Sequence, residues 1–223
     1  MTFSIAARCP DTGMLGVAVT SSSICVASRC AFARAGVGAA LSQNVTDPRL
    51  GRRALDMLED GVGAGAAMQA LVASSGHGEW RQLALVDAKG ETAHFTGGKA
   101  LGLSASAEGP GCVSVGNLLS NDGVPGAIVA GFLASKGHLG ARLIAGLRAG
   151  LAAGGEESPV RSAGVMVADR ARWPIADLRV DWDDDPLGRI AANWTEYEPQ
   201  IEAYLVRALD PDRAESFTAA DAR

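Results

Sequence analysis

Met1-Thr2-Phe3-Ser4-Ile5-Ala6-Ala7-Arg8 opens the chain. From residue 2 onward small or polar residues alternate with larger apolar ones, the two-residue period of a strand with one face buried. Chain ends usually fray, so a strand pattern this early predicts a first strand tied into a sheet. A hydroxyl residue stands directly behind the methionine. With Met1 removed, Thr2 carries a free α-amine and a secondary hydroxyl on one residue. The amine has a reference pKa of about 7.7–8.0, so much of it is neutral near physiological pH. A neutral amine beside a hydroxyl is a nucleophile with its own general base. Thr2 is equally a small residue suited to position two, and the local sequence leaves both readings open.

Outward from this stretch the pattern stays β. Pro10-Asp11-Thr12-Gly13 separates runs 3–9 and 14–20 and reads as a hairpin turn. Ser21-Ser22-Ser23-Ile24-Cys25 reads as a loop at the strand end, and 35–42 as a third strand of small residues. The polar stretch Ser42 to Asp47 leads to Pro48; Asp47 as N-cap and Pro48 at the first helical position predict a helix to about Gly61. A second, Ala-rich helix is expected over 64–74. Hairpins follow at 81–87 with 91–96 and at 101–106 with 112–117, then helices at 123–135 and 139–152, then strands at 160–168 and 175–181. Paired helices between paired strand groups suit two sheets packed face to face with helices outside, an α+β architecture. Short antiparallel links exclude a doubly wound parallel sheet.

The boundaries expected are a domain over 1–182 and a helical extension over 183–223. In the extension Ile190, Trp194, Tyr197, Ile201 and Tyr204 or Leu205 recur at helical spacing, and Pro199 divides two helices. Its aromatics suggest packing on the domain or on a second copy, hence a homo-oligomer, a dimer in the simplest case. The chain is expected to be polar and loose from about 210.

The 223 residues, 22.8 kDa, can bury roughly 70% of their unfolded surface without staples. A net charge of −5 without a basic block argues against nucleic acid and anionic membrane as partners. Four dispersed cysteines without a C-x-x-C pair read as free thiols. With no leader and no apolar run near 20 residues, the expected location is the cytoplasm.

The chemistry-bearing patterns are few. His77, His94 and His138 stand alone, so no metal site and no cofactor are expected. The acidic run 181–185 lacks calcium-loop spacing. No phosphate-binding glycine loop and no Gly-x-Ser-x-Gly elbow occurs. A couple of Cys25 or Cys112 with a histidine is conceivable, although buried structural cysteine is the commoner fate. Polar groups at strand ends remain: Thr2, Ser21 to Ser23, Ser42-Gln43-Asn44, Thr96, Asn117 and Arg161-Ser162. Singly each is a turn or cap residue; together they mark one rim of a sandwich.

The stretches Met1 to Arg8, Gly16-Val17-Ala18-Val19, Gly36-Val37-Gly38-Ala39, Asp47-Pro48-Arg49-Leu50-Gly51, Arg81-Gln82-Leu83-Ala84, Gly116-Asn117-Leu118-Leu119 and Arg161-Ser162-Ala163 resemble a bacterial family of unknown function, DUF1028, placed with the N-terminal nucleophile (Ntn) hydrolases. The resemblance covers roughly 2–182. It implies a four-layer αββα sandwich and hydrolysis of a small-molecule amide, with Thr2 as nucleophile and its α-amine as base. Ser22, Gln43, Asn44 and Asn117, placed at strand ends, are candidates to bind substrate or donate to an oxyanion. Two features depart from that pattern. Many threonine-nucleophile relatives use a lysine on the third strand, where 35–42 has none; Arg29 or Arg34 cannot accept a proton in its place. An intact Met1 also holds the α-amine in an amide. The rival readings are a catalytically silent Ntn-fold module that binds a metabolite, and a scaffold built on the aromatic tail.

Overall fold

A computed structural model describes residues 1–214. The expected loose tail therefore lies, beyond residue 214, outside the described residues. β1 (Thr2–Arg8) and β2 (Leu15–Ser21) form the first hairpin, with Gly13 at φ +76° completing its turn. A one-turn helix α1 (Ala27–Cys30) leads to β3 (Ala31–Arg34) and β4 (Gly38–Asn44), then to α2 (Pro48–Glu59) and α3 (Ala64–Ser74). Next come β5 (Arg81–Asp87), β6 (Thr92–Thr96), β7 (Ala105–Gly109) and β8 (Cys112–Asn117). Helices α4 (Val124–Ala134) and α5 (Leu139–Ala152) precede β9 (Ser162–Ala168) and β10 (Ala176–Val180). The extension supplies α6 (Pro186–Tyr197) and α7 (Ile201–Leu209) around a 3-10 turn that contains Pro199.

All strand pairs are antiparallel. One sheet has the order β10-β9-β2-β1-β8-β7 and the other β3-β4-β5-β6. Strand alternation then builds four layers. Phe3, Ile5 and Ala7 of β1 pack outward with Ile128 and Phe132 of α4 and Leu143 and Leu147 of α5. Ala6 faces the other way, with Val17 and Val19 of β2 and Val113 and Val115 of β8. It meets Leu41 and Val86 of the second sheet there. The far side of that sheet buries Leu83 and Leu85 against Leu50 and Leu55 of α2 and Met68 and Leu71 of α3. The αββα sandwich expected from the sequence is the observed fold.

Local chemistry accounts for the elements. The Asp47 carboxylate accepts from the Arg49 backbone N–H at 3.1 Å with Pro48 in the first turn, so α2 starts where capping places it. On α6, Leu187, Ile190 and Trp194 enter the same buried cluster as α4 and α5. Trp194 packs directly on Gly140, where any Cβ would collide with the indole ring.

Some boundaries differ from the sequence reading. Ser21 ends β2 instead of opening a loop, and α1 and β3 follow where no element was expected. The third strand lies at 38–44, because β4 pairs with β5 all the way to Asn44 opposite Arg81. The strand expected at 101–106 lies at Ala105–Gly109, and Pro110-Gly111 alone makes its turn.

Candidate active site

The alternation that sorts the core also sorts the polar rim. Thr2 and Ser4 share the inward face of β1 with Ala6. Ser21 continues the series of Val17 and Val19, and Asn117 that of Val113 and Val115. Gln43 and Gln82 occupy the matching positions of β4 and β5 beyond Leu41 and Ala84. At one end of the inter-sheet space the apolar core thus gives way to buried hydroxyls and amides.

Thr2 starts a central strand, pairs with Asn117 and is buried. Its hydroxyl donates to the Met1 carbonyl oxygen and lies 3.4 Å from Ser21 Oγ. The Ser21 hydroxyl donates to the same carbonyl. Ser21 Oγ lies 2.8 Å from Ser23 Oγ and accepts the Ser23 backbone N–H at 3.1 Å. The Arg29 guanidinium donates to Ser23 Oγ at 2.8 Å and to the carbonyls of Ile24 and Cys25. A positive charge therefore backs a line of hydroxyls that ends on one carbonyl oxygen. This is the electrostatics that stabilises negative charge developing on such an oxygen.

Behind Thr2 an amide seam bridges the sheets. The Ser4 hydroxyl donates to Gln43 Oε1 at 2.6 Å, and Gln43 Nε2 donates to Gln82 Oε1 at 2.8 Å. Asn117 Nδ2 donates to the same oxygen at 3.0 Å, and Gln82 Nε2 to the Gly116 carbonyl at 2.9 Å. Asn117 Oδ1 is left buried without a partner among the described residues.

The residues expected at the site divide accordingly. Thr2 and Asn117 are neighbours. Gln43 is committed to Ser4 and Gln82 and belongs to the framework. Asn44 is committed too: it donates to the Trp80 carbonyl at 2.6 Å and accepts from the Leu101 N–H at 3.1 Å, pinning a loop to the rim. In place of Ser22 it is Ser21 on β2 that reaches the carbonyl, with Ser23 bonded behind it to the Ser21 hydroxyl. Of the two arginines considered, Arg29 feeds the hydroxyl line while Arg34 pairs with Asp56 and Glu59 on the surface.

Sequence reasoning missed Glu156. It sits in the turn after α5, 6% exposed, and its backbone bridges Leu119, two residues past Asn117. Among the described residues neither carboxyl oxygen makes a well-formed hydrogen bond, although the Ser22 backbone N–H comes near enough to act on it. Burial pushes this carboxyl up to about 7, while the chain's own amine and the Ser22 backbone N–H pull the other way. Nothing in Gly154-Gly155-Glu156-Glu157 separates it from a solvated turn.

Among the described residues three non-glycine residues have positive φ: Cys25 (54°), Asn44 (72°) and Leu118 (51°). Each lies at the rim end of a strand around Thr2, or just beyond it. Such conformations cost on the order of 1–3 kcal/mol each and gather at functional sites. Two of the four thiols, Cys30 and Cys112, are poorly placed to serve as nucleophiles. Burial raises Cys112 to about 11 and pushes Cys30 up as well. A cavity of about 430 Å³ opens elsewhere, between the start of α2 and the end of α3. It is lined by Arg49, Arg52, Arg53, His77 and Arg81 among others, and not by Thr2.

Fold and site together define a four-layer αββα sandwich with a buried threonine heading a central strand. The chain belongs to the Family of unknown function DUF1028, whose family model matches residues 2–190. A solved structure of a family member from Silicibacter pomeroyi is 30% identical. It covers 87% of this chain and 88% of its own, with a TM-score of 0.81. Two Anbu (ancestral beta-subunit) structures are similar at lower scores. That from Yersinia bercovieri is 12% identical at TM-score 0.40, covering 97% of this chain and 99% of its own. A Gly-1 mutant from Hyphomicrobium sp. strain MC1 is 11% identical at 0.42, covering 98% and 100%. No curated protein matches the chain.

Proposed function

We propose that the chain is an Ntn-type amidohydrolase that cleaves a small-molecule amide through Thr2 once Met1 has been removed. In this reading the freed α-amine takes the Thr2 Oγ1 proton and Oγ1 attacks the amide carbon. The ammonium returns that proton to the leaving nitrogen, and water then splits the Thr2 ester. Ser21, backed by Ser23 and Arg29, donates to the oxygen that gains charge. Asn117 Oδ1, an acceptor, suits a substrate N–H.

The observation that carries the reading is the convergence of the Thr2 and Ser21 hydroxyls on one carbonyl oxygen at the head of a central strand. The test pairs intact mass with activity. Protein purified with its own N-terminus is expected to lack Met1 and to hydrolyse members of an amide and lactam library, and Thr2→Ala to abolish turnover while leaving the fold intact. Turnover unchanged by Thr2→Ala contradicts the reading.

A second reading has its own support. A silent metabolite-binding module fits β4, which carries no lysine to tune a Thr2 amine. Met1 retained on cell-derived protein favours that reading. Assembly as a homo-oligomer belongs to the proposal as well, supported by the exposed Tyr204 and Leu209 of α7. Sedimentation that returns a monomer removes it.

A further inference from the structure

The turn that carries Glu156 is an arch over the start of β1. At one end the Ser120 N–H donates to the Gly155 carbonyl and the Glu157 N–H to the Leu118 carbonyl, on the β8 side of Thr2. At the other end the Arg161 N–H donates to the Ser21 carbonyl at 2.7 Å, on the β2 side. Between these anchors the chain passes across the head of β1. It carries a buried carboxyl that makes no ion pair among the described residues, and the Met1 amine acts on that carboxyl through space. Arg161, the cation nearest in sequence, is engaged elsewhere, with Asp184 and over the Trp182 ring.

What occupies this place is itself an aminoacyl group. The carbonyl of Met1 rests on the Thr2 and Ser21 hydroxyls, its α-amine is the charge that acts on Glu156, and its acyl carbon is bonded to the Thr2 nitrogen. Move that acyl carbon from nitrogen to Oγ1 of the same residue and the result is an aminoacyl ester on Thr2. Such an ester is the intermediate that hydrolysis of an amino-acid amide would form. The two are isomers related through a five-membered ring, so Met1 marks where the acyl part of a substrate would lie.

The geometry points to Glu156 as the residue that selects acyl groups bearing a free α-ammonium, making the substrates amides of α-amino acids. This deepens the amidohydrolase reading and rests on it for turnover, though not for binding. The step balances as a hydrolysis. The acyl–nitrogen bond breaks, an acyl–Oγ1 bond forms and is split by water, and the products are an amino acid and an amine. Glu156 takes no proton from the reacting atoms. It holds the ammonium of the acyl group, and N-acetylation of that group removes the charge it reads.

The test uses the full chain carrying Thr2→Ala, shown by intact mass to lack Met1, with L-methioninamide and N-acetyl-L-methioninamide as probes in calorimetric titrations. Methioninamide is expected to bind at least about tenfold more tightly, the usual worth of a hydrogen bond to a charged group. Adding Glu156→Gln should bring the ratio to about one, and Glu156→Asp should keep part of it. Equal binding of the two probes, binding of neither, or a preference that survives Glu156→Gln overturns the inference. Because Thr2→Ala cannot turn over, the outcome is independent of the nucleophile. A binding preference together with a wild-type chain that cleaves no amide would leave the ammonium site standing and remove only the hydrolase.

Discussion

Ser21→Ala removes one of two hydroxyls on the carbonyl and should lower kcat by about 10²–10³, the cost of losing an oxyanion donor; an unchanged kcat in amide turnover assays would show that the charge develops elsewhere. Ser21 could have been chosen over Ser22 by carrying the alternation of Val17 and Val19 one step further, but the serine run read as a loop and hid the parity. Thr2 was legible because position and chemistry coincide. Glu156 was out of reach, since its burial depends on a turn closing over residues more than a hundred positions away. Glu156 also leaves a mark on stability. In the chain that retains Met1, its folded pKa of about 7 lies above the ordinary 4.5, so the folded state holds a proton that the unfolded state gives up. Stability contributed by this group therefore falls as pH rises from about 4.5 to about 7 and is level beyond. At about 1.4 kcal/mol per pKa unit the difference approaches ~3 kcal/mol. Glu156→Gln should gain on wild type by about that amount over this window in urea titrations, and parallel curves would refute the assignment.

Elements were legible where a local rule decides them and not where pairing does. Asp47-Pro48 fixed the start of α2, and Pro10 to Gly13 fixed the first turn. β3 was invisible because Ala31-Phe32-Ala33-Arg34 is too short to show a period, and it is a strand only because β4 lies beside it. The ends of β4 and β7 moved for the same reason. In the extension, helical spacing identified Ile190 and Trp194, while their partner was hidden, since the seat at Gly140 is a property of α5. Trp194→Ala empties that seat and should cost about 3–5 kcal/mol, read from the shift in the denaturation midpoint. A change below 1 kcal/mol would mean that α6 contributes little to the core it enters.

For the molecule as a whole, strand and helix order predicted the four layers, because amphipathic elements in that sequence have few ways to bury their faces. The amide seam between the sheets could not be foreseen: each amide was read as the end of its own strand, and only stacking joins them. Gln82 accepts from both Gln43 and Asn117. Gln82→Leu should orphan two buried N–H groups at about 1–3 kcal/mol each, seen as a lower unfolding free energy with an unchanged m-value; full stability would mean that the sheets do not depend on the seam. The arch from Glu156 to Arg161 governs access as well as shape. Its anchors on the Leu118 and Ser21 carbonyls flank β1, and Met1 beside it is only partly exposed. A trimming peptidase should therefore remove the methionine faster from refolding chains than from folded protein, and equal rates would show that the span leaves the residue open.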